Sequence, residues 1–330
     1  MSDWHRSYYS FARFALLDAL RLCGVKSGDS VLMPSYICRD VLAPVHVLGA
    51  KVEFYDVDRR LQPILHRAGR SIDTSSVRAI LAVNYFGFPQ QLDDLVRLGR
   101  TLGAPVIEDN AHGHLSRDPH DVLLGRRTGI GFTSFRKTLR VVNGAFLDAD
   151  ATIFPAVLRM NALPNSRSPL PLGFRMRHGV SNLEHSLGVP LMNPARRIAR
   201  TGRRMIGKPA IPIMAESETE MPSDARIHQS AIEALDLLNV DRERRRRRET
   251  YLSVAARLTD AGFDLIFEVL DQNTVPWGTP FFSAPNQIHR ARRALRGLGL
   301  EIFRWPELPL TVRDRCPAHY SDVFIVGMML

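Results

Sequence analysis

The chain has 330 residues, 45% of them hydrophobic and 24% charged, proportions of an ordinary globular protein that exclude a disordered or fibrous chain. Lys and Arg total 44 against 34 Asp and Glu, and the resulting +10 charge draws nucleic acid, anionic lipid and phosphorylated small molecules alike, choosing none of them. Cys23, Cys38 and Cys316 form neither a C-x-x-C pair nor an even set, Met1 to Arg13 lack a signal-peptide core, and no apolar run approaches the roughly 20 residues a bilayer demands, so a cytoplasmic protein without membrane contact is expected.

Along the chain, short apolar runs alternate with helical periodicity, the rhythm of parallel strands joined by crossover helices. Ser10 is expected to cap a helix reaching about Leu22. Ser30 to Met33, Val52 to Tyr55, Ala79 to Val83 and Pro105 to Glu108 read as strands, with helices around Val41 to Leu48 and Leu92 to Leu102. Gly131 to Phe135 and Ala145 to Leu147 read as two more strands, split by the polar segment Arg136 to Asn143. Residues 161–222, rich in proline, arginine and methionine, read as an irregular connection. A long helix is expected from Asp224 to Asp260, then strands Phe263 to Phe267 and Thr279 to Phe282, a helix Gln287 to Leu298 and a strand Val323 to Val326. The pattern predicts an α/β protein with a large, mostly parallel-sheet domain over residues 1–222 and a smaller α+β domain over 223–330. Arg242 and the run Arg244 to Arg248 read as the solvated face of the long helix, and without a recognition element no nucleic-acid partner is expected.

Two segments carry chemistry. Ala104-Pro-Val-Ile-Glu-Asp109 is an apolar run ending in two carboxylates, at the carboxyl end of a strand where open α/β sheets bind their ligands, although an aspartate there also caps turns. Phe132-Thr-Ser-Phe-Arg-Lys-Thr-Leu139 sets a hydroxyl (Ser134) and an amine (Lys137) just beyond another strand, with Gly144 permitting close backbone approach. Gly129-Ile-Gly131 lacks the third glycine of a dinucleotide loop, and no Gly-x-Ser-x-Gly elbow occurs. His112 and His114 lack a third ligand at metal-binding spacing, so no metal is expected.

Taken in order, five segments resemble the DegT/DnrJ/EryC1/StrS family of pyridoxal-phosphate enzymes, mostly aminotransferases of nucleotide-linked keto sugars. They are Met33-Pro-Ser-Tyr-Ile-Cys38, Gly49-Ala-Lys-Val-Glu-Phe-Tyr-Asp-Val-Asp58, Asn84-Tyr-Phe-Gly-Phe-Pro89, Ile107 to His112, and Ser134 to Gly144. The resemblance implies the type I fold of pyridoxal-phosphate-dependent transferases, a homodimer, and pyridoxal 5'-phosphate as cofactor. It makes Lys137 the Schiff-base lysine, Asp109 the partner of the pyridine nitrogen, His112 a neighbour of the ring hydroxyl and Ser134 a phosphate ligand. Ala12 and Arg13 fall where the family opens a helix on the phosphate, and either Tyr36 or Cys38 falls at the ring-stacking position. The implied reaction moves an amino group, from glutamate in most of the family, to a keto sugar in polysaccharide, lipopolysaccharide or antibiotic sugar biosynthesis.

Some residues depart from the pattern. Ser134 and Lys137 stand two residues closer than in most of the family, similar to a compact branch with Ser-Phe-Arg-Lys. Ala12 and Ala145 replace glycines, and no Gly-x-Asn-x-Arg segment is present. Two rival readings follow: a family member that keeps the fold as a binding or scaffold protein, and a sugar dehydratase, against which Lys137 argues because that branch carries histidine there.

Overall fold

Eight strands form the main sheet in a computed structural model, which describes residues 2–65, 74–171, 174 and 218–328. In chain order they are β1 (Trp4–Tyr9), β2 (Ser30–Pro34), β3 (Lys51–Val57), β4 (Pro63–Ile64), β5 (Val77–Val83), β6 (Val106–Asp109), β7 (Ile130–Thr133) and β8 (Ala145–Asp150). Their spatial order is β1-β8-β7-β6-β5-β2-β3-β4. The five central strands, β3, β2, β5, β6 and β7, run parallel, while β1, β8 and β4 join antiparallel. Every residue of β2 and β6 is buried, as befits parallel strands covered on both faces.

Helix α1 (Ala12–Leu22) turns Ala15, Leu16, Ala19 and Leu20 onto β7 and β8, and each such leucine contributes about 1.5–3 kcal/mol by leaving water. Helices α2 (Leu42–Val47) and α3 (Asp93–Leu102) make the other crossovers. Asp93 and Asp94 favour the amino end of α3, and Gly103 closes it in the left-handed conformation at φ 64°.

A second, three-stranded sheet orders β10 (Glu301–Arg304), β11 (Val323–Gly327) and β9 (Gly278–Phe282), all antiparallel. The helix Val240–Asp260 packs on it through Val254 and Leu258. Tyr251, Ile266, Trp277 and Tyr320 join the core of the main sheet, so the two sheets share packed side chains.

Several expectations are corrected. Ser10 does not cap α1: Phe11 stands at the N-cap, and the Ser10 hydroxyl donates instead to the Asp224 carbonyl at 2.5 Å. The long helix breaks into Gln229–Asp236 and Val240–Asp260, because Asn239 caps the second piece by accepting from the Arg242 N–H at 2.9 Å. Leu265 bridges Phe281 without making Phe263 to Phe267 a strand, and the helix expected over Gln287 to Leu298 spans only Ile288–Ala294. β1 and β10 escaped the sequence reading. Residues 161–171 form no helix or strand beyond a bridge from Ser166 to His228, and most of the expected connection lies outside the described residues.

Candidate active site

The segments following β2, β5, β6 and β7 meet at the carboxyl ends of the parallel strands, the crevice where such sheets bind ligands. The order of strand addition reverses about β2, so the connections after β2 and β5 lead to opposite sides and leave room there.

β6 delivers two adjacent carboxylates to opposite faces of the sheet. Glu108, fully buried, accepts from Asn84 Nδ2 at 3.0 Å, Gly125 N at 3.2 Å and Arg127 N at 2.6 Å, and pairs with Arg127 Nη2 at 2.8 Å. Asp109, also buried, takes one hydrogen bond among the described residues, from Ala111 N to Oδ1 at 2.9 Å. Burial pushes its pKa up to about 6, against the pull of Lys137 and the Ala111 N–H.

Past β7 the chain makes one tight turn, Phe135–Lys137, with Ser134 at its start. Lys137 Nζ lies 2.9 Å from His112 Nε2. Burial lowers the lysine's affinity for a proton, with Asp109 opposing and Arg136 assisting, and burial lowers that of His112 still further. The imidazole is therefore neutral near pH 7, and the buried amine releases its proton more readily than a solvated lysine. The Phe86 N–H donates to His112 Nδ1 at 3.4 Å, which turns Nε2 toward the Lys137 amine.

Aromatic rings hold this pair. Trp277 stacks on His112 at 4.3 Å between centroids and 8° between planes, and its Nε1 donates to the Lys137 carbonyl at 3.0 Å. Phe86 lies parallel to the imidazole at 5.6 Å, and Trp305 meets it edge-on at 4.8 Å. Phe86 adopts φ 57°, a left-handed conformation costing a side-chain-bearing residue about 1–3 kcal/mol, and its carbonyl is held by the Trp277 N–H at 2.8 Å.

A cationic corner adjoins the amine. Ser134 is buried and does not spend its hydroxyl on capping the turn. Ala12 and Arg13 open α1, whose first N–H groups have no side-chain cap. The Arg136 guanidinium lies 5.4 Å above the Phe11 ring and feels Arg13, Asp40 and Cys38. Gly144, at φ 151°, ties the corner together: its N–H donates to the Ser10 carbonyl at 2.7 Å and its carbonyl accepts from Arg136 N at 3.1 Å.

The structure separates the two residues left open for ring stacking. Tyr36 is fully buried, bonded through its hydroxyl to the Trp305 carbonyl and set edge-on to Tyr320 at 4.7 Å. Cys38 is partly exposed; burial pushes its thiol up, and it feels both Lys137 and Asp109. His114 turns away from His112 toward Phe135 and Phe146, and burial pulls its proton affinity down to about 3.

The arginine run is not a uniformly solvated face. Arg247 is 2% exposed, and Arg248 Nη1 donates to the carbonyls of Asp271 at 2.5 Å and Thr274 at 2.7 Å. Trp277, Phe86, Trp305 and Arg247 are the site-forming residues the sequence reading missed. The one local sign was Pro276-Trp277-Gly278, a large ring fixed between two turn formers. No helix of the described residues is long and apolar enough to cross a membrane, and no cluster of three or more His, Cys, Asp or Glu suited to a metal occurs among them.

Residues 10–145 match the family model of the DegT/DnrJ/EryC1/StrS aminotransferases. This segment is similar to that family. Protein MosB of Rhizobium meliloti is 33% identical over 156 residues, 44% of this chain, so the match spans only 30% of that relative's length. A DegT/DnrJ/EryC1/StrS aminotransferase from Brucella abortus superposes with a TM-score of 0.64 at 16% identity, covering 99% of this chain and 81% of its own. The GDP-4-keto-6-deoxy-D-mannose-3-dehydratase of E. coli, solved with bound hydrated pyridoxal phosphate, gives 0.63 at 16% identity over 99% and 83%. At such identities the likeness establishes the fold, that of the pyridoxal-phosphate-dependent aminotransferases: a large mixed sheet with a smaller antiparallel one.

Proposed function

We propose that the chain is a pyridoxal-phosphate-dependent aminotransferase that transfers an amino group from an amino donor, glutamate by family analogy, to a keto sugar, working as a homodimer. The observation that carries this reading is a buried amine, Lys137, set against His112 at 2.9 Å and close to a buried carboxylate that takes a single hydrogen bond among the described residues. The donor set fits the cofactor. Asp109, with an oxygen open, would hold a protonated ring nitrogen; His112 would meet the ring hydroxyl; Ser134, the open N–H groups of α1 at Ala12 and Arg13 would take the phosphate. Cys38 lies within electrostatic reach of Lys137 and Asp109 and suits the stacking position better than Tyr36, whose ring and hydroxyl are spent in the aromatic core.

When bound, the cofactor supplies an aldehyde for covalent attachment and a cationic ring that withdraws electrons from the substrate carbon. The protein's own work is proton handling and exclusion of water. Lys137 Nζ, its hold on a proton weakened by burial and with no direct bond to a carboxylate among the described residues, is the atom suited to take and return the substrate proton, while His112 Nε2 fixes its direction. Phe86, Trp277 and Trp305 enclose the imidazole and keep its surroundings dry. The keto-sugar class rests on the family match and on the substrate named for the E. coli dehydratase.

The test is the absorption spectrum of the purified protein with added pyridoxal phosphate. A band near roughly 410–430 nm, absent in Lys137→Ala and shifted by glutamate, is the expected result. A band that ignores every amine donor would point to the scaffold reading, and no lysine-dependent band would overturn the cofactor assignment.

A further inference from the structure

One buried guanidinium outside the reacting group touches both segments that frame the amine. Arg247 projects from the helix Val240–Asp260 and is 2% exposed. Its Nε donates to Glu243 Oε1 at 2.6 Å, one helical turn back, which fixes the plane of the fork. Nη2 donates to the Thr138 carbonyl at 3.1 Å, and Nη1 to the Pro276 carbonyl at 3.3 Å. Thr138 directly follows Lys137, and Pro276 directly precedes Trp277. The indole closes the circuit by donating from Nε1 to the Lys137 carbonyl at 3.0 Å.

The physical need for such a brace is plain. The turn Phe135–Lys137 is a single turn, too short to fix its last carbonyls within itself. Main-chain N–H groups take up the Ser134 and Phe135 carbonyls, but those of Lys137 and Thr138 find their donors in side chains more than 100 residues away. The direction of the lysine stem, and hence the position of Nζ against His112 and the Trp277 ring 5.7 Å away, depends on those two donors. A planar fork can grip two carbonyls at a fixed separation, and an ammonium cannot.

We infer that Arg247 is a positioning residue: by bridging the Thr138 and Pro276 carbonyls it sets the spacing between the Lys137 turn and the Trp277 bend and so aims the lysine amine. This rests on the proposed role of Lys137 but is testable without the cofactor. Besides His112, the charged or titratable groups acting on the amine are Asp109, Arg136, Cys38 and Asp40, and substitution of Arg247 leaves all of them in place.

The experiment follows acetylation of Lys137 in the full cofactor-free protein across pH, read by peptide mass spectrometry. In Arg247→Lys, which keeps the charge and loses the fork, the Lys137 rate at pH 8 is expected to change about tenfold, as a displaced reacting group does, with the midpoint of its pH profile moved. Lys26 and Lys51 serve as internal controls and keep their rates. If Arg247→Lys does not fold, Glu243→Gln, which loosens the Nε anchor, carries the same test with a smaller shift in the same direction. An unchanged Lys137 profile in a folded variant overturns the inference, whatever its melting temperature. A changed profile in a protein that forms no band with pyridoxal phosphate would uphold the brace and refute the cofactor reading, so the two failures are distinguishable.

Discussion

On the two faces of β6, consecutive carboxylates meet opposite treatment. Glu108 is closed in by Asn84, Gly125 and Arg127, and Arg127 Nη1 and Nη2 go on to the Gln90 carbonyl at 2.9 Å and Asn84 Oδ1 at 2.7 Å. Asp109 receives a single backbone N–H. The first is a buried charge whose desolvation is answered within the chain; the second is left with capacity for a partner the chain does not contain. Burial alone thus fails to mark a functional acid. What sets Asp109 apart is burial without satisfaction, here beside an amine whose hold on its proton burial weakens.

The contrast breaks most sharply at Glu108. Replacing it with Gln strands Arg127 in a buried setting, and removal of one partner of such a pair costs about 3–5 kcal/mol. Urea unfolding of Glu108→Gln is expected to show that loss at every pH between 6 and 8, while the folded fraction still forms the lysine-dependent band. A near-neutral result would mean that the network is not the closed unit its geometry suggests.

Asp109→Asn should act with the opposite sign. An acid raised from 3.8 to about 6 favours the fold only while protonated: the advantage is whole below pH 3.8 and is lost as pH rises through 6. At pH 8 the cofactor-free Asn variant is therefore expected to be more stable than the wild type, by about 3 kcal/mol, with the difference vanishing toward pH 4. Amino-group exchange in the same variant should fall roughly 100-fold or more, since an amide cannot answer a ring cation as a carboxylate does. Thermal melts from pH 4 to pH 8 check the first expectation, and a variant that is less stable at pH 8 would place Asp109 on the structural side of the comparison.

Asp109, Ser134 and Lys137 were legible because each stands at the end of an apolar run, and the run itself sets a side chain at the crevice. The parallel strands were legible for the same local reason. Trp277 and Arg247 were not: they reach the site through carbonyls of Lys137 and Thr138, and a bond to a carbonyl leaves no trace in residue type. Ser10 misled because its hydroxyl had a competing acceptor in Asp224, far along the chain. Asn239, by contrast, was a readable cap, and the continuous charge run obscured it.

Gly144→Ala sharpens the comparison on the phosphate side, with a smaller effect. At φ 151° a side chain is strained, and an added Cβ would stand 2.5 Å from two carbons of the Phe135 ring. The ring is fully buried against Phe146 and cannot swing aside without disturbing β8. A loss of about 1–3 kcal/mol is expected in chemical unfolding, with the Lys137 turn displaced because Arg136 N bonds the Gly144 carbonyl. Weakened affinity for pyridoxal phosphate should accompany it.

The smallest effect belongs to a charge pair outside both faces. Asp94 and Arg97 pair one turn apart on α3, with side chains 61% and 74% exposed. Water already solvates each partner there, so what the pair gains by approach it nearly loses in side-chain freedom. Asp94→Asn is expected to shift stability by less than about 0.5 kcal/mol, and less still in high salt. Set beside Glu108→Gln, the measurement separates pairing from enclosure: both variants remove one carboxylate charge from an arginine, and only the surroundings differ. Equal losses would mean that the charge itself, and not the closed setting around Glu108, holds that face of the strand.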